Sequence, residues 1–148
     1  MENLNLRICF LGLLLTGPAV AQPIFTEVKI DMPLPLSYGV ACGDYDNDQW
    51  PDIFFGSYYD ETPDPAVLLG NQGNGRFAGR NALIEPDLVP YNGKSTGVIF
   101  GDYDNDLDLD LYVPRGWVRA SARDRLLRND QGRFTDVTLT AGLTDSLP

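Results

Sequence analysis

The hexapeptide Gly43-Asp44-Tyr45-Asp46-Asn47-Asp48 returns as Gly101-Asp102-Tyr103-Asp104-Asn105-Asp106, an offset of 58 residues. Flanking positions keep the same offset: Gly39 with Gly97, Asp52 with Asp110, Leu68-Leu69 with Leu126-Leu127, and Asn71 with Asn129. The register then slips by one, so that Gly75-Arg76-Phe77 corresponds to Gly132-Arg133-Phe134. A chain written twice in this way folds as two copies of one supersecondary unit, which bury their apolar faces by stacking.

Within each copy the pattern is that of short strands. Residues 37–43 and 96–101 end in Gly, and the acidic loop is followed by the apolar runs 52–55 and 110–113. Residues 66–69 and 125–127 supply a third strand. Turn chemistry at 71–75 and 129–132 then leads to a fourth, beginning at Phe77 or spanning 134–137. No segment sustains a 3.6-residue period; the helical candidate, residues 115–128, has its apolar positions clustered at the ends. Four strands in about 58 residues is the size of a propeller blade or of a hairpin pair in a sandwich. The fold class expected is all-β: an incomplete β-propeller of about two four-stranded blades.

The loops between the first two strands carry the chemistry. Loop one runs Asp44, Asp46, Asp48, Asp52, and loop two Asp102, Asp104, Asp106, Asp110, each with carboxylates at positions 1, 3, 5 and 9. The backbone carbonyl of position 7, Trp50 or Asp108, can complete a shell of oxygens around one hard cation. Two like charges 4 Å apart repel by about 4 kcal/mol at an effective dielectric of about 20, so four converging carboxylates call for a counter-ion. Oxygen-only ligands select calcium over zinc or copper, and a flexible carboxylate cage favours calcium over magnesium. A solvated acidic turn is the alternative, and the repetition of the 1, 3, 5, 9 spacing weighs against it. An EF-hand or dockerin loop requires Gly at position 6, Glu at position 12 and helices on both sides. Here position 6 is Gln49 or Leu107 and position 12 is Phe55 or Val113, inside apolar strand-like runs.

Composition narrows the function further. The 148 residues include 21 acids against 11 bases, a formal net charge of −10, and no His. Imidazole bases, Ser-His-Asp and Cys-His arrangements and His-dependent zinc sites are therefore excluded. The negative balance disfavours phosphate backbones and anionic lipid surfaces, so neither nucleic-acid binding nor membrane insertion is expected. Nine of the 21 acids fall in the two loops. Six Arg between Arg115 and Arg133 could meet an acidic polysaccharide or the acidic loops, but read more simply as a solvated inter-strand segment. Tyr45 and Tyr103 are expected to pack beneath their loops, and Trp50 and Trp117 to act as packing anchors.

The N-terminus has the order of a secretory leader: Arg7, an apolar run from Ile8 to Leu15, Gly17-Pro18, and Ala19-Val20-Ala21 before Gln22. Residues 1–21 read as a signal peptide too short to span a bilayer, with a buried strand or helix as the alternative. Cys9 would leave with the leader. Cys42, flanked by Ala41 and Gly43, reads as a small buried apolar residue.

These loops with their flanking strands resemble the FG-GAP or VCBS-type repeat of integrin-α-like β-propellers, whose loop is D-x-D-x-D-G-x-x-D. The second copy, residues 99–113, is similar to repeats of bacterial secreted proteins related to cartilage acidic protein. Their N-x-L-x-x-N-x-G-x-F-x-D-V-T run is matched by residues 125–138, which include Leu126-Leu127, Asn129, Gly132, Phe134 and Asp136-Val137-Thr138. The resemblance covers residues 25–143 and implies that Asp44, Asp46, Asp48 and Asp52, and Asp102, Asp104, Asp106 and Asp110, are calcium ligands. Two departures stand out: loop Gly is replaced by Gln49 and Leu107, and the Phe before Gly101 is Cys42 in the first copy.

The organisation expected is a leader at 1–21, the end of a partial repeat at 22–36, one repeat at 37–95 and a second at 96–148. A further acidic loop would fall at about residue 153, past Pro148, so the chain reads as stopping short of a third. The function expected is that of a secreted, extracellular or periplasmic, calcium-pinned scaffold or adhesion module that binds an extracellular protein or polysaccharide. An alternative is the N-terminal part of an extracellular carbohydrate-active enzyme whose catalytic residues lie elsewhere. No catalytic residue is assigned in this chain.

Overall fold

The computed structural model describes residues 6–8, 26–28, 30, 32–57, 66–84, 95, 97–114 and 124–143, and among these residues the regular structure is ten short strands and one 3-10 turn. Strands β1 (Leu6–Ile8) and β2 (Thr26–Val28) form an antiparallel pair. This pair joins three residues of the expected leader to the segment after it. The rest of 1–21 lies outside the described residues, as does Trp117.

The first repeat is a four-stranded antiparallel meander: β3 (Val40–Gly43), β4 (Asp52–Phe55), β5 (Val67–Asn71) and β6 (Phe77–Gly79). The second repeats it with β7 (Ile99–Gly101), β8 (Asp110–Val113), β9 (Arg125–Asp130) and β10 (Arg133–Asp136). The architecture is all-β with two propeller-like blades, and no closed sheet forms among the described residues. The first strand of each blade is shorter than its apolar run suggests. Ser37 turns the chain back on itself, accepting from Gly39 N–H and donating to Gly39 C=O. Residues 125–127, expected at the end of a helical candidate or in a strand, lie in β9, which reaches Asp130.

The one-residue slip between the copies has a local cause. Asn71 pairs with Phe77 across five intervening residues, whereas Asn129 pairs with Phe134 across four. In the second copy Gln131 and Gly132, at φ 53° and 85°, form a two-residue hairpin turn between Asp130 and Arg133. Positive φ at both centres is the twist that suits a tight hairpin.

Strand alternation assigns each side chain to a face. Phe54 and Leu68 turn toward the second blade, where they join Leu111, Leu127 and Phe134 in one buried cluster. Ile53, Phe55, Val67 and Leu69 turn the other way and are covered by Ile30, Met32 and Leu34. Each fully buried side chain of this size contributes about 1.5–3 kcal/mol. The same alternation corrects the reading of Cys42: Ala41 faces the core and Cys42 is exposed.

The innermost strands converge where neither copy has a side chain. A Cβ on Gly39 would sit 2.9 Å from the Gly97 Cα, so the backbones touch there. At the far side of the blades, Ile84 forms a parallel bridge to Phe134. The acidic loops, connecting β3 to β4 and β7 to β8, therefore emerge side by side at one end.

Candidate metal centre

In each loop the structure brings three carboxylates together. Oxygens of Asp44, Asp46 and Asp48 lie within 4.8 Å of one another, as do those of Asp102, Asp104 and Asp106. The backbone is wound to allow this. Asp44 accepts from the N–H groups of Asp48 (2.9 Å) and Gln49 (2.8 Å), and Asp102 accepts from Asp106 (3.2 Å) and Leu107 (3.1 Å). Asp48 accepts from Trp50 N–H and Asp106 from Asp108 N–H. Identical bonding in both loops is what identical spacing dictates.

Position 9 is held differently. Asp52 and Asp110 are 0% and 1% exposed, and they stand outside the three-carboxylate groups. Both oxygens of Asp52 accept main-chain N–H groups, from Tyr45 (3.1 Å) and Asn71 (2.7 Å). Asp110 repeats this with Tyr103 (2.8 Å) and Asn129 (2.9 Å). The expected fourth carboxylate ties the floor of each loop to the third strand of its blade. Burial, opposed by these N–H groups and reinforced by Asp46 and Asp48, pushes Asp52 up to about 6. Burial likewise raises Asp110, and it raises Asp46, with Asp48 adding to the effect.

The left-handed turn expected of the missing loop Gly is retained. Gln49 and Leu107 both have φ 75°, and Asn47 and Asn105 at position 4 have φ 58° and 64°. Asn tolerates this region through its short polar side chain, but Leu does not, at about 1–2 kcal/mol per residue. Leu107 is 81% exposed, so it repays none of that cost by packing. Leu107→Gly should therefore raise stability, by about 0.5–1 kcal/mol after the entropy of Gly in the unfolded chain is subtracted. Urea denaturation checks this; an unchanged or lower midpoint contradicts the strain.

Position 7 differs between copies. Trp50 is 48% exposed and its ring covers Gly73, where a Cβ would come 2.6 Å from the indole nitrogen. Asp108 instead reaches out of its loop: one oxygen accepts from Asn47 Nδ2 and the other from Gln131 N–H, each at 2.8 Å. The tyrosines also diverge. Tyr45 is 0% exposed and packs on Phe134 with ring centroids 5.6 Å apart, whereas Tyr103 is 42% exposed. Burial, with Asp46 and Asp52 nearby, pushes the Tyr45 hydroxyl up to about 12, so it stays protonated.

One organising residue is not obvious from the loops. Asn129, 0% exposed, donates to the carbonyls of Tyr45 (2.6 Å) and Leu109 (3.1 Å) and accepts from Gly132 N–H (2.8 Å). It joins the floor of loop one to that of loop two. Its repetition as Asn71, which donates to Pro51 C=O at 3.0 Å, is the signal that marks it. Two arginines of the 115–133 segment bind locally: Arg125 pairs with Asp136, and Arg128 with Asp130 at 2.8 Å.

Blades of four antiparallel strands, each with an acidic turn between its first and second strands, define a propeller-type repeat protein. Residues 44–113 match the FG-GAP-like repeat, a stretch that begins at the first aspartate of loop one and ends with β8. The chain accordingly carries an FG-GAP-like repeat across those residues, in keeping with its two propeller-like blades. No curated protein sequence matches the chain. Among the described residues, no helix is long and apolar enough to cross a membrane.

The donor set suits a hard divalent cation. Each loop offers three clustered carboxylates, no sulfur or imidazole, and a carbonyl at Trp50 or Asp108, all oxygen ligands of the kind calcium takes.

Proposed function

We propose that this protein is a secreted, calcium-binding scaffold or adhesion module, in which a cation in each acidic loop pins the turn between the first two strands of its blade. The observation that carries this reading is the duplicate gathering of three carboxylates within 4.8 Å, at equivalent turns of a repeat family. Asp44, Asp46 and Asp48, and Asp102, Asp104 and Asp106, are the side-chain ligands. Asp52 and Asp110 hold the floor beneath them, and Trp50 and Asp108 offer main-chain oxygen. The leader-like N-terminus favours export, and the absence of His favours a binding role over catalysis. An extracellular protein or a polysaccharide is the kind of partner that such a module serves.

Calcium should stabilise the fold by mass action. Extracellular modules of this kind bind at about 10⁻⁴ to 10⁻³ M. At about 10 mM calcium each site then adds about 1.4–2.7 kcal/mol, for a rise in Tm on the order of 10 °C over both sites. Thermal melts in calcium and in chelator read this directly. Equal melting temperatures, together with Asp104→Ala behaving as wild type, would refute the assignment. For export, the secreted product should begin at Gln22 by mass.

A further inference from the structure

We infer that the two acidic loops load their cations cooperatively, coupled through the carboxylate of Asp108. This deepens the calcium reading and rests on it.

Asp108 touches three things at once. Its N–H donates to Asp106, one of the clustered carboxylates of loop two. One carboxylate oxygen accepts from the side-chain amide of Asn47, which lies between Asp46 and Asp48 in loop one. The other accepts from Gln131 N–H in the hairpin turn of the second blade. A residue bonded to a candidate ligand of one loop thus grips the middle of the other.

The grip falls where loop one is hardest to order. Asn47 holds φ 58° and Gln49 φ 75°, two left-handed residues in a segment carrying three carboxylates. A cation in loop two fixes Asp106, and with it the position of residue 108. That holds Asn47 in its left-handed conformation and meets part of the ordering cost of loop one before its own cation arrives. Binding that finds its site already ordered is tighter, and linkage makes the effect reciprocal. The floor of the loops is joined separately: Asn129 N–H bonds to Asp110 and its side chain holds Tyr45 C=O, neither of which belongs to the clustered carboxylates.

The link is specific to this pair of repeats. Position 7 of loop one is Trp50, which has no carboxylate to offer and turns onto Gly73 instead. The coupling therefore belongs to Asp108 and Asn47 rather than to the loop pattern that both copies share.

The test is a calcium titration of the full chain by calorimetry and by competition with a chromophoric chelator. Wild type should take up two cations with a Hill coefficient above 1, the second binding about fivefold or more tighter than an independent site would. Asn47→Gly keeps the left-handed backbone and removes the amide; it should take up two cations with a Hill coefficient of 1. Asp108→Ala, which cuts the link from the other side, should lose the coupling in the same way, while Asp108→Asn, which keeps an acceptor for Asn47, should retain part of it. Circular dichroism in millimolar calcium verifies that each variant is folded. Independent uptake of two cations by wild type, or cooperative uptake by Asn47→Gly, overturns the coupling and leaves the calcium reading intact. Failure of wild type to take up any cation overturns both.

Discussion

Asn129→Leu should unfold at a temperature on the order of 10 °C below wild type. The side chain is 0% exposed and satisfies three main-chain groups: the carbonyls of Tyr45 and Leu109 and the N–H of Gly132. Leu is similar in volume but bonds to none of them. Each buried group left unsatisfied costs about 1–3 kcal/mol, so a total of about 3–4 kcal/mol is expected after partial relaxation. Asn71→Leu provides the comparison. Asn71 bonds to Pro51 C=O and accepts from Gly73 N–H within its own blade, with no counterpart of the Tyr45 bond between blades. Its loss should be smaller by about 1 kcal/mol. Equal losses at the two positions would show that the inter-blade bond contributes little.

The second large effect is an inverted pH dependence in the absence of calcium. Most proteins gain stability as carboxylates ionise, because folding lowers carboxylate pKa values. Here Asp52 rises to about 6 from an ordinary 3.8, and Asp46 and Asp110 also rise, burial being the leading cause in each. Between about pH 4 and pH 6 the folded chain therefore holds more protons than the unfolded one. Stability falls as pH rises through this window, by on the order of 3 kcal/mol for Asp52 alone. Asp136 opposes the trend: burial works against its charge, but Thr138 and Arg125 outweigh it and lower its pKa, so its contribution is lost at still lower pH. In chelator, urea midpoints should be higher near pH 4.5 than at pH 7. Calcium favours the ionised carboxylates and should remove or reverse that slope. A midpoint in chelator that rises from pH 4.5 to pH 7 would contradict the buried state of Asp52.

How much of this could be read in the sequence depends on whether the determinant is local. The repeat, its strands and the acidic turns follow from residue spacing, and the structure places them where that spacing puts them. The direction of the ninth carboxylate does not follow. A loop with Asp at positions 1, 3, 5 and 9 has the same sequence whether Asp52 faces the loop centre or the N–H groups of Tyr45 and Asn71. Tyr45 and Tyr103 make the point more sharply, because they occupy identical sequence positions. One is buried because the second blade presents Phe134 to it, and the other is 42% exposed. Burial there belongs to the neighbour rather than to the residue. Cys42 differs for a simpler reason: its apolar neighbours suggest burial, but strand alternation turns Ala41 inward and leaves Cys42 exposed. Asp108 was recognisable as an acid of loop two, but its reach to Asn47 depends on how the blades stack.

The Gly39–Gly97 contact also sets a curvature. At their inner edge the two sheets meet backbone to backbone, while farther out the side chains of Phe54, Leu68, Leu111 and Leu127 stand between them. Two sheets in backbone contact at that edge and held apart by side chains farther out form a wedge, its wide end crossed by the Ile84–Phe134 bridge, and wedges joined in one sense trace an arc. The missing side chain at each inner edge thus fixes a turning angle, and a row of such units bends toward the glycine side. The acidic loops, all at one end of their blades, would then lie along one rim of that arc.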